Sequence, residues 1–355
     1  MRVAIIGGGL TGLTVAYRRA SLGDRVTLYE ASARLGGQLS TERSDGFVVE
    51  HGAEGFVARS EAVARLATDL GIADRLVEQL VHRSYRFDGA SLLELAPGEA
   101  ARLLGFQVPS DELGRGIRSF IGGMADLPDA LVDALEDRVD LRLSSAAQRI
   151  DSSAGKPRVS FAGGDSERYD AIVVATGAVI AGELLVNAFG SHAAALREAT
   201  CASSTTVTLA YPRAAIAHPL DATGFISIPE PVFGARAATF VSAKLPARAP
   251  AERALFRVFF RPTEDELATE TDANWVTRAH AALRASLGVE AEPLRSWVSR
   301  WPQALPVLDA AHRARVSELE SALAGSQIRL AGSAFHGSGI DAAVRSAEQA
   351  AAALS

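Results

Sequence analysis

Gly7-Gly8-Gly9-Leu10-Thr11-Gly12 meets the G-x-G-x-x-G spacing, and no other stretch restricts the fold so much. Arg2–Ile6 before it is a short apolar run suited to a buried parallel strand. Leu13–Leu22 after it has helical periodicity, with Gly23 placed to stop it. A second strand is expected over Arg25–Tyr29, closing at Glu30. In a strand–turn–helix of this kind each glycine has a mechanical task. Gly7 makes the tight turn, Gly9 lets the backbone approach a pyrophosphate, and Gly12 lets helix and strand pack closely. The helix N-terminus offers unpaired N–H groups and a positive dipole end to that pyrophosphate. Glu30, eighteen residues beyond Gly12, lies where a carboxylate binds both hydroxyls of a ribose. The spacing alone is weak, but the strand, the helix and the closing acid agree on a dinucleotide-binding unit.

The 355 residues have room for two packed domains, or for one large domain with an insertion. Hydrophobic residues make up 48% and charged residues 22%, the balance of a globular protein with a sizeable core. The net charge is −6 and no basic run interleaves with aromatics, which argues against nucleic acid as a partner. Cys201 stands alone, so a disulfide within the chain and a cysteine metal site are both excluded, and a reducing cytoplasm is the expected setting. The apolar start is broken by Gly7, Gly8, Gly9 and Gly12 and followed by Arg18 and Arg19, unlike a signal sequence. Nowhere do eighteen apolar residues run consecutively, so no transmembrane segment is expected.

Further along, a strand is expected over Gly46–Val49 and one or two amphipathic helices over Ser60–Leu80, broken at Gly71. Arg83–Leu95 reads as a hairpin turning at Asp88-Gly89. Leu127–Leu135 reads as a helix, Val139–Leu143 as a strand, and Arg149–Asp170 as two strands around Gly163-Gly164. Asp170–Gly177 is another buried strand ending in a tight turn. Thr205–Tyr211, Gly224–Ile228, Ala237–Ala243 and Leu255–Phe260 read as strands of a second, more antiparallel region. Asp265–Leu287 has a strong helical pattern with Gly288 beyond it, Gln327–Ala331 is a strand, and Ala342–Leu354 a last helix. No second G-x-G-x-x-G follows a strand, so electrons are expected to enter from an organic substrate and leave to oxygen or another small acceptor.

Glu30-Ala31-Ser32-Ala33-Arg34-Leu35-Gly36-Gly37 resembles the E-x-x-x-R-x-G-G extension of FAD-binding flavoproteins of the glutathione-reductase-like type. That likeness makes FAD the expected cofactor and Ala31, Arg34, Gly36, Gly37 and Gln38 its contacts. Other segments join it: Glu50-His51-Gly52-Ala53-Glu54-Gly55-Phe56, Gly122-Gly123-Met124, Arg300-Trp301-Pro302-Gln303-Ala304-Leu305-Pro306 and Gly337-Ser338-Gly339-Ile340. Together they resemble the protoporphyrinogen/coproporphyrinogen oxidase family within the flavin amine oxidase superfamily. The resemblance implies an α/β fold: a Rossmann-like FAD-binding domain with a second α+β substrate domain on a mixed or antiparallel sheet. Residues 1–65, 122–200 and 325–355 would form the first, discontinuous domain, and 66–121 with 201–324 the second. It further implies FAD contacts at Leu10, Thr11, Gly52, Ala53, Glu54, Ala147, Ala175, Thr176, Gly332, Ser333, Gly339, Ile340 and Asp341. The last three begin a helix whose N-terminus would face the flavin N1–C2=O edge, where charge collects on reduction. Members of that family are longer, with a mostly helical lobe where only Leu104–Phe120 stands here. The shortened lobe implies a more open site, a smaller substrate, or a homodimer or partner protein that completes the pocket.

The implied activity is oxidation of a porphyrinogen or a smaller heterocycle, with hydride passing to flavin N5 and O2 as acceptor. The protein would mainly position carbon and exclude water. Arg83 matches an arginine that receives a substrate propionate in several relatives, a task suited to a guanidinium fork; the alternative is a solvated surface arginine. His336, before the flavin-facing turn, is either a base or flavin neighbour or a surface histidine. His51 adjoins Gly52-Ala53 and is a candidate for contact with FAD or substrate. Arg115 and Arg118 are either attractors of acidic substrates or solvated charges. His312 is expected to cap or pack, Trp275, Trp297 and Trp301 to belong to the core, and Cys201 to be buried and inert. Two other readings remain: an amine oxidase, disfavoured because Lys156 and Lys244 are the only lysines and neither sits in a matching motif, and a non-catalytic FAD-binding accessory subunit.

Overall fold

The computed structural model describes residues 1–103, 116–152 and 155–354. Its first sheet has five parallel strands in the order Val139–Arg142, Arg25–Tyr29, Arg2–Ile6, Ala171–Val174, Ile328–Leu330. Val3, Ala4 and Ile5 are fully buried, as a strand covered on both faces must be. The chain leaves the central strand toward one edge and returns on its other side, so the order reverses between Arg2–Ile6 and Ala171–Val174. Such a reversal leaves a crevice at the carboxyl ends, where ligands of open α/β sheets bind. Gly7 and Ala175 stand there, with the Ala175 N–H donating to Ile6 O at 2.8 Å.

Helix Leu10–Ser21 starts directly from Gly9, and the expected start at Leu13 moves forward by one turn. Leu13, Val15 and Ala16 of this helix are buried beside Val344, Ala347 and Ala351 of the last helix, Ile340–Ala352. Burial of Leu13, Val15 and Val344 contributes about 1.5–3 kcal/mol each, and an alanine methyl about 0.8 kcal/mol. Arg19 fixes the pair at one end, donating to Ala351 O and Leu354 O, both at 3.0 Å.

The second sheet has seven strands in the order Arg295–Pro306, Cys201–Pro212, Arg253–Phe260, Ala237–Phe240, Gly224–Ser227, Tyr85–Phe87, Leu92–Glu94. All neighbours are antiparallel except Gly224–Ser227 with Tyr85–Phe87. Alternation sorts its side chains. Val207, Leu209, Phe256 and Val258 bury one face against Trp275, Ala279 and Leu283 of helix Asp272–Leu287. The other face turns toward the first sheet's loops.

Several expectations needed correction. Ser60–Leu80 holds helix Ala62–Asp69, but Leu76–Glu78 is a strand, because Ile117–Phe120 pairs with it and with Phe56–Val57. Leu66, Ala67, Ile72 and Phe120, assigned from sequence to the second domain, are buried in the same cluster as Val3 and Leu13. Val316, Leu319 and Leu323 likewise pack with Ile172 and Val174 of the parallel sheet. Asp265–Leu287 divides into Glu264–Thr269 and Asp272–Leu287, since Thr271 caps a fresh helix by accepting from the Asn274 N–H. Arg149–Asp170 contains three strands, and Ala237–Ala243 ends as a strand at Phe240. Helices Ala178–Ala194 and Ala310–Leu323 and the long strand Arg295–Pro306 were not anticipated. The segment Ala178–Glu198 is apolar and long enough to cross a membrane by composition, yet Ala181, Leu184 and Leu185 pack on the parallel sheet.

Candidate functional site

Bare backbone lines the crevice, and sterics show why. A Cβ on Gly12 would lie 1.9 Å from Gly7 O, and one on Gly7 would lie 2.7 Å from Ala175 O. Gly36 N–H donates to Gly8 O at 2.9 Å, which brings the second glycine pair onto the first. A Cβ on Gly37 would approach Gly9 Cα to 2.9 Å. Arg34 braces this turn by donating to Gly37 O at 2.6 Å and Leu35 O at 3.2 Å. Glu30 accepts from the Gly8 N–H at 2.7 Å and from the Ser32 N–H at 2.8 Å. Ser145 N–H donates to Glu30 O, which ties Glu30 to the chain leading into strand Ala147–Asp151. Gly332 (φ +124°) comes beside Thr11. The Thr176 methyl would be 3.4 Å from a Cβ on Gly7, and Ser333 opens the short helix that follows Gly332.

Thr263, Thr271 and Asp309 cap their helices with side-chain oxygens. Gly9 and Gly339, which precede helices Leu10–Ser21 and Ile340–Ala352, supply none. Both helix ends therefore keep N–H groups open to an acceptor from outside the chain. The Asp341 carboxylate is taken by Ser60 at 2.8 Å and Arg345 at 2.9 Å, which leaves its backbone as the part that can face a ligand. A diphosphate with a ribose and a second acceptor edge fits these donors, and FAD carries all of them.

The seven-stranded sheet grips the next segment. Arg257, 4% exposed, donates to Gly52 O at 2.6 Å, His51 O at 3.2 Å and Thr206 Oγ1 at 3.2 Å. Trp301 Nε1 donates to His51 O at 2.6 Å, and His51 Nδ1 lies 2.8 Å from Ser299 Oγ. Gln38 donates to Ala304 O at 2.8 Å, and a Cβ on Gly52 would meet Gln38 O at 1.6 Å. His51–Gly52 is thus held between the glycine turn and the sheet. Replacing Trp301 with Phe should lower stability by about 1 kcal/mol, one hydrogen bond's net worth, in denaturant titrations. An unshifted midpoint would show that the bond contributes nothing.

Buried charges underlie this grip. Lys244 Nζ lies 2.6 Å from Glu54 Oε1, with both side chains under a tenth exposed. Arg248, fully buried at its side chain, donates to Ser119 Oγ at 2.7 Å and lies 3.7 Å from Glu50. Burial pushes the Glu50 carboxyl up, against the pull of Thr41 and Arg248. Burial works upward on Glu54 too, but Lys244, Arg257 and Arg248 outweigh it and hold this carboxyl below its ordinary value. Glu54, expected as an FAD contact, has its carboxylate committed to Lys244 instead.

Two side chains expected to be catalytic are engaged by carboxylates. Arg83 is exposed and paired with Asp221 and Glu94. His336 Nε2 lies 2.7 Å from Glu320, in a cavity of about 240 Å³ along edge strand Ile328–Leu330. Arg118 pairs with Glu78 at 3.0 Å, and Arg115 lies outside the described residues. His312 is buried behind its capping Asp309, as expected, and Trp275 is core, but Trp301 touches the site. Cys201 is half-buried, and burial pushes its thiol up. Arg257, Arg248 and Ser299 were not anticipated from sequence. An arginine inside the apolar run Leu255–Phe260 was the available signal, since a buried charge needs a partner.

Comparisons with known proteins agree with this geometry. Residues 96–355 match the family of flavin containing amine oxidoreductases, and residues 5–70 match the NAD(P)-binding Rossmann-like domain. A coproporphyrinogen III oxidase of Propionibacterium freudenreichii subsp. freudenreichii is 24% identical, over 98% of this chain and 90% of that protein. The Bacillus subtilis (strain 168) coproporphyrinogen III oxidase is 23% identical, over 95% of this chain and 94% of that protein. A solved structure from Exiguobacterium sp. 255-15, assigned as a protoporphyrinogen oxidase, superposes with a TM-score of 0.83 at 24% identity, covering 99% of this chain and 98% of that one. A putrescine oxidase follows at a TM-score of 0.74 and 16% identity, covering 99% and 98%, a likeness of fold. The alignment with the Propionibacterium enzyme runs over 480 positions against 355 residues here, so that relative carries segments this chain lacks. With its nucleotide cradle and its match over residues 96–355, the chain belongs to the flavin containing amine oxidoreductase family, as an FAD-dependent oxidoreductase of the protoporphyrinogen/coproporphyrinogen oxidase-like type.

Proposed function

We propose that this enzyme oxidises a porphyrinogen, or a smaller heterocycle of a biosynthetic pathway, with O2 as the electron acceptor. The observation that carries this reading is the alignment of two coproporphyrinogen III oxidases across nearly the whole chain. Gly7, Gly9, Leu10, Thr11 and Gly12 would hold the diphosphate, with Gly332 and Ser333 closing over it. Glu30 and Ala31 would take the ribose, and Ala147 would meet the adenine. Arg34, Gly36, Gly37 and Gln38 would follow the linking chain, while Gly52, Ala53, Ala175, Thr176, Gly339, Ile340 and the Asp341 amide would surround the flavin. Bound FAD supplies two-electron acceptance, which no side chain here can offer. Arg257 and Trp301 hold the His51–Gly52 peptide groups in place, and the sheet face beyond them orients the substrate. Per cycle the substrate gives up two electrons and two protons, and O2 becomes H2O2.

Lys244 is locked onto Glu54 and Lys156 onto Asp170, so oxidation of an amine gains no free lysine from the structure. The cytoplasm is the setting we assign, on the strength of the lone Cys201. Mixing holoenzyme with coproporphyrinogen or protoporphyrinogen in air should give porphyrin fluorescence faster than autoxidation, with matching peroxide. A rate equal to autoxidation would overturn the tetrapyrrole reading.

A further inference from the structure

We propose that Arg86 receives an acidic group of the substrate; this rests on the oxidase reading above. The register of the seven-stranded sheet carries the inference. Ser299 pairs with Thr206, Thr206 with Phe259, Phe259 with Ala237, Ala237 with Ile226, and Ile226 with Arg86. Directly opposed residues share a face, so these six form one row across the sheet. The row begins beside His51, because Ser299 Oγ lies 2.8 Å from its imidazole and Thr206 Oγ1 accepts from Arg257. It continues through half-buried Phe259 and Ala237 and buried Ile226, a strip with no charge. It then reaches a guanidinium. With strands about 4.8 Å apart, Arg86 stands roughly 19 Å along the row from Thr206.

Arg86 is half-buried, and among the described residues no hydrogen bond or ion pair engages its guanidinium. Asp88 feels its charge, but that carboxylate is held by the Ala90 and Ser91 amides at 3.0 and 2.9 Å. Arg83 differs on both counts. It is paired with Asp221 and Glu94, and Glu94 stands opposite Tyr85 on the face that helix Asp272–Leu287 covers. A half-buried guanidinium without a carboxylate retains its capacity for a bidentate partner. The row therefore fits a flat, largely apolar molecule with a carboxylate at the end remote from His51.

The test is equilibrium binding of a carboxylate-bearing porphyrin and of its methyl ester to holoenzyme, read from perturbation of the flavin spectrum. Arg86→Ala and Arg86→Lys are compared with wild type and Arg83→Ala. Arg86→Ala should weaken the acid roughly tenfold and leave the ester unchanged, with Arg86→Lys between. Equal binding of the acid by wild type and Arg86→Ala, or a loss at Arg83→Ala alone, would overturn the assignment. Arg86-dependent binding without porphyrinogen turnover would support Arg86 and remove only the oxidase reading. Turnover with binding indifferent to Arg86 would do the reverse.

Discussion

Gly12→Ala should purify without flavin colour. The methyl it adds would come within 1.9 Å of Gly7 O, 3.1 Å of Gly7 C and 3.3 Å of Ile5 Cγ2. Two of those atoms belong to the backbone of the turn itself, so no rotamer relieves the contact. The helix must back away from the strand, and the amides after Gly9 move with it. Overpacking of a core commonly costs about 1–3 kcal/mol, and here the displaced element is also the cofactor cradle. Gly23→Ala is the comparison. Gly23 has φ +83° with nothing within 4 Å of its Cβ position, so that variant bears only left-handed strain, about 1–2 kcal/mol, and should stay yellow. Visible absorbance per protein after gel filtration decides. A yellow Gly12→Ala protein would show that the close approach is dispensable.

Lys244→Met should be the most damaging single change to a side chain. It leaves the Glu54 carboxylate buried without its 2.6 Å partner. Removing one member of a buried ion pair costs about 3–5 kcal/mol. Glu54→Gln/Lys244→Met should regain much of that loss, since neither charge then remains unmatched. The same pair sets an acid limb. The folded carboxyl of Glu54 is held below its ordinary value of 4.5 despite burial, by Lys244, Arg257 and Arg248. A depressed folded value means stability that is full above 4.5 and lost as pH falls through the folded value. Urea midpoints between pH 7 and pH 3 should fall in wild type and fall less in Glu54→Gln. Parallel slopes would place the acid sensitivity at another carboxylate.

The nucleotide unit was legible because its constraints are local. A strand, three spaced glycines, a helix and Glu30 all fall within the first thirty residues, and each has one mechanical reading. The structure puts Gly7, Gly12, Gly36 and Gly37 in contacts that a Cβ would break. The sheet that faces them was less legible. Strand Arg295–Pro306 exists because Cys201–Ala210 lies alongside it, and pairing between segments so far apart in the chain leaves no mark on the strand's own sequence. Arg257 was hidden for a similar reason, since its acceptors are carbonyls of residues 51 and 52. The partner of His336 was not legible either, because adjacency to Gly337–Gly339 in the chain does not fix orientation, and Glu320 on a helix not anticipated meets its Nε2. The partners of Arg83 were hidden too, since a matching position in a motif says nothing about Asp221, which lies far off in the chain.

The pairing of helix Leu10–Ser21 with helix Ile340–Ala352 has a bearing on how the protein comes to exist in a cell. Walls of one nucleotide slot are contributed by segments more than three hundred positions apart, and Arg19 joins them. A nascent polypeptide that already displays Gly7–Gly12 has nowhere to lodge a dinucleotide until residues 328–352 leave the ribosome and dock. Prosthetic-group capture therefore waits until both walls of the slot have been made, and a chain stalled before residue 328 should hold no flavin.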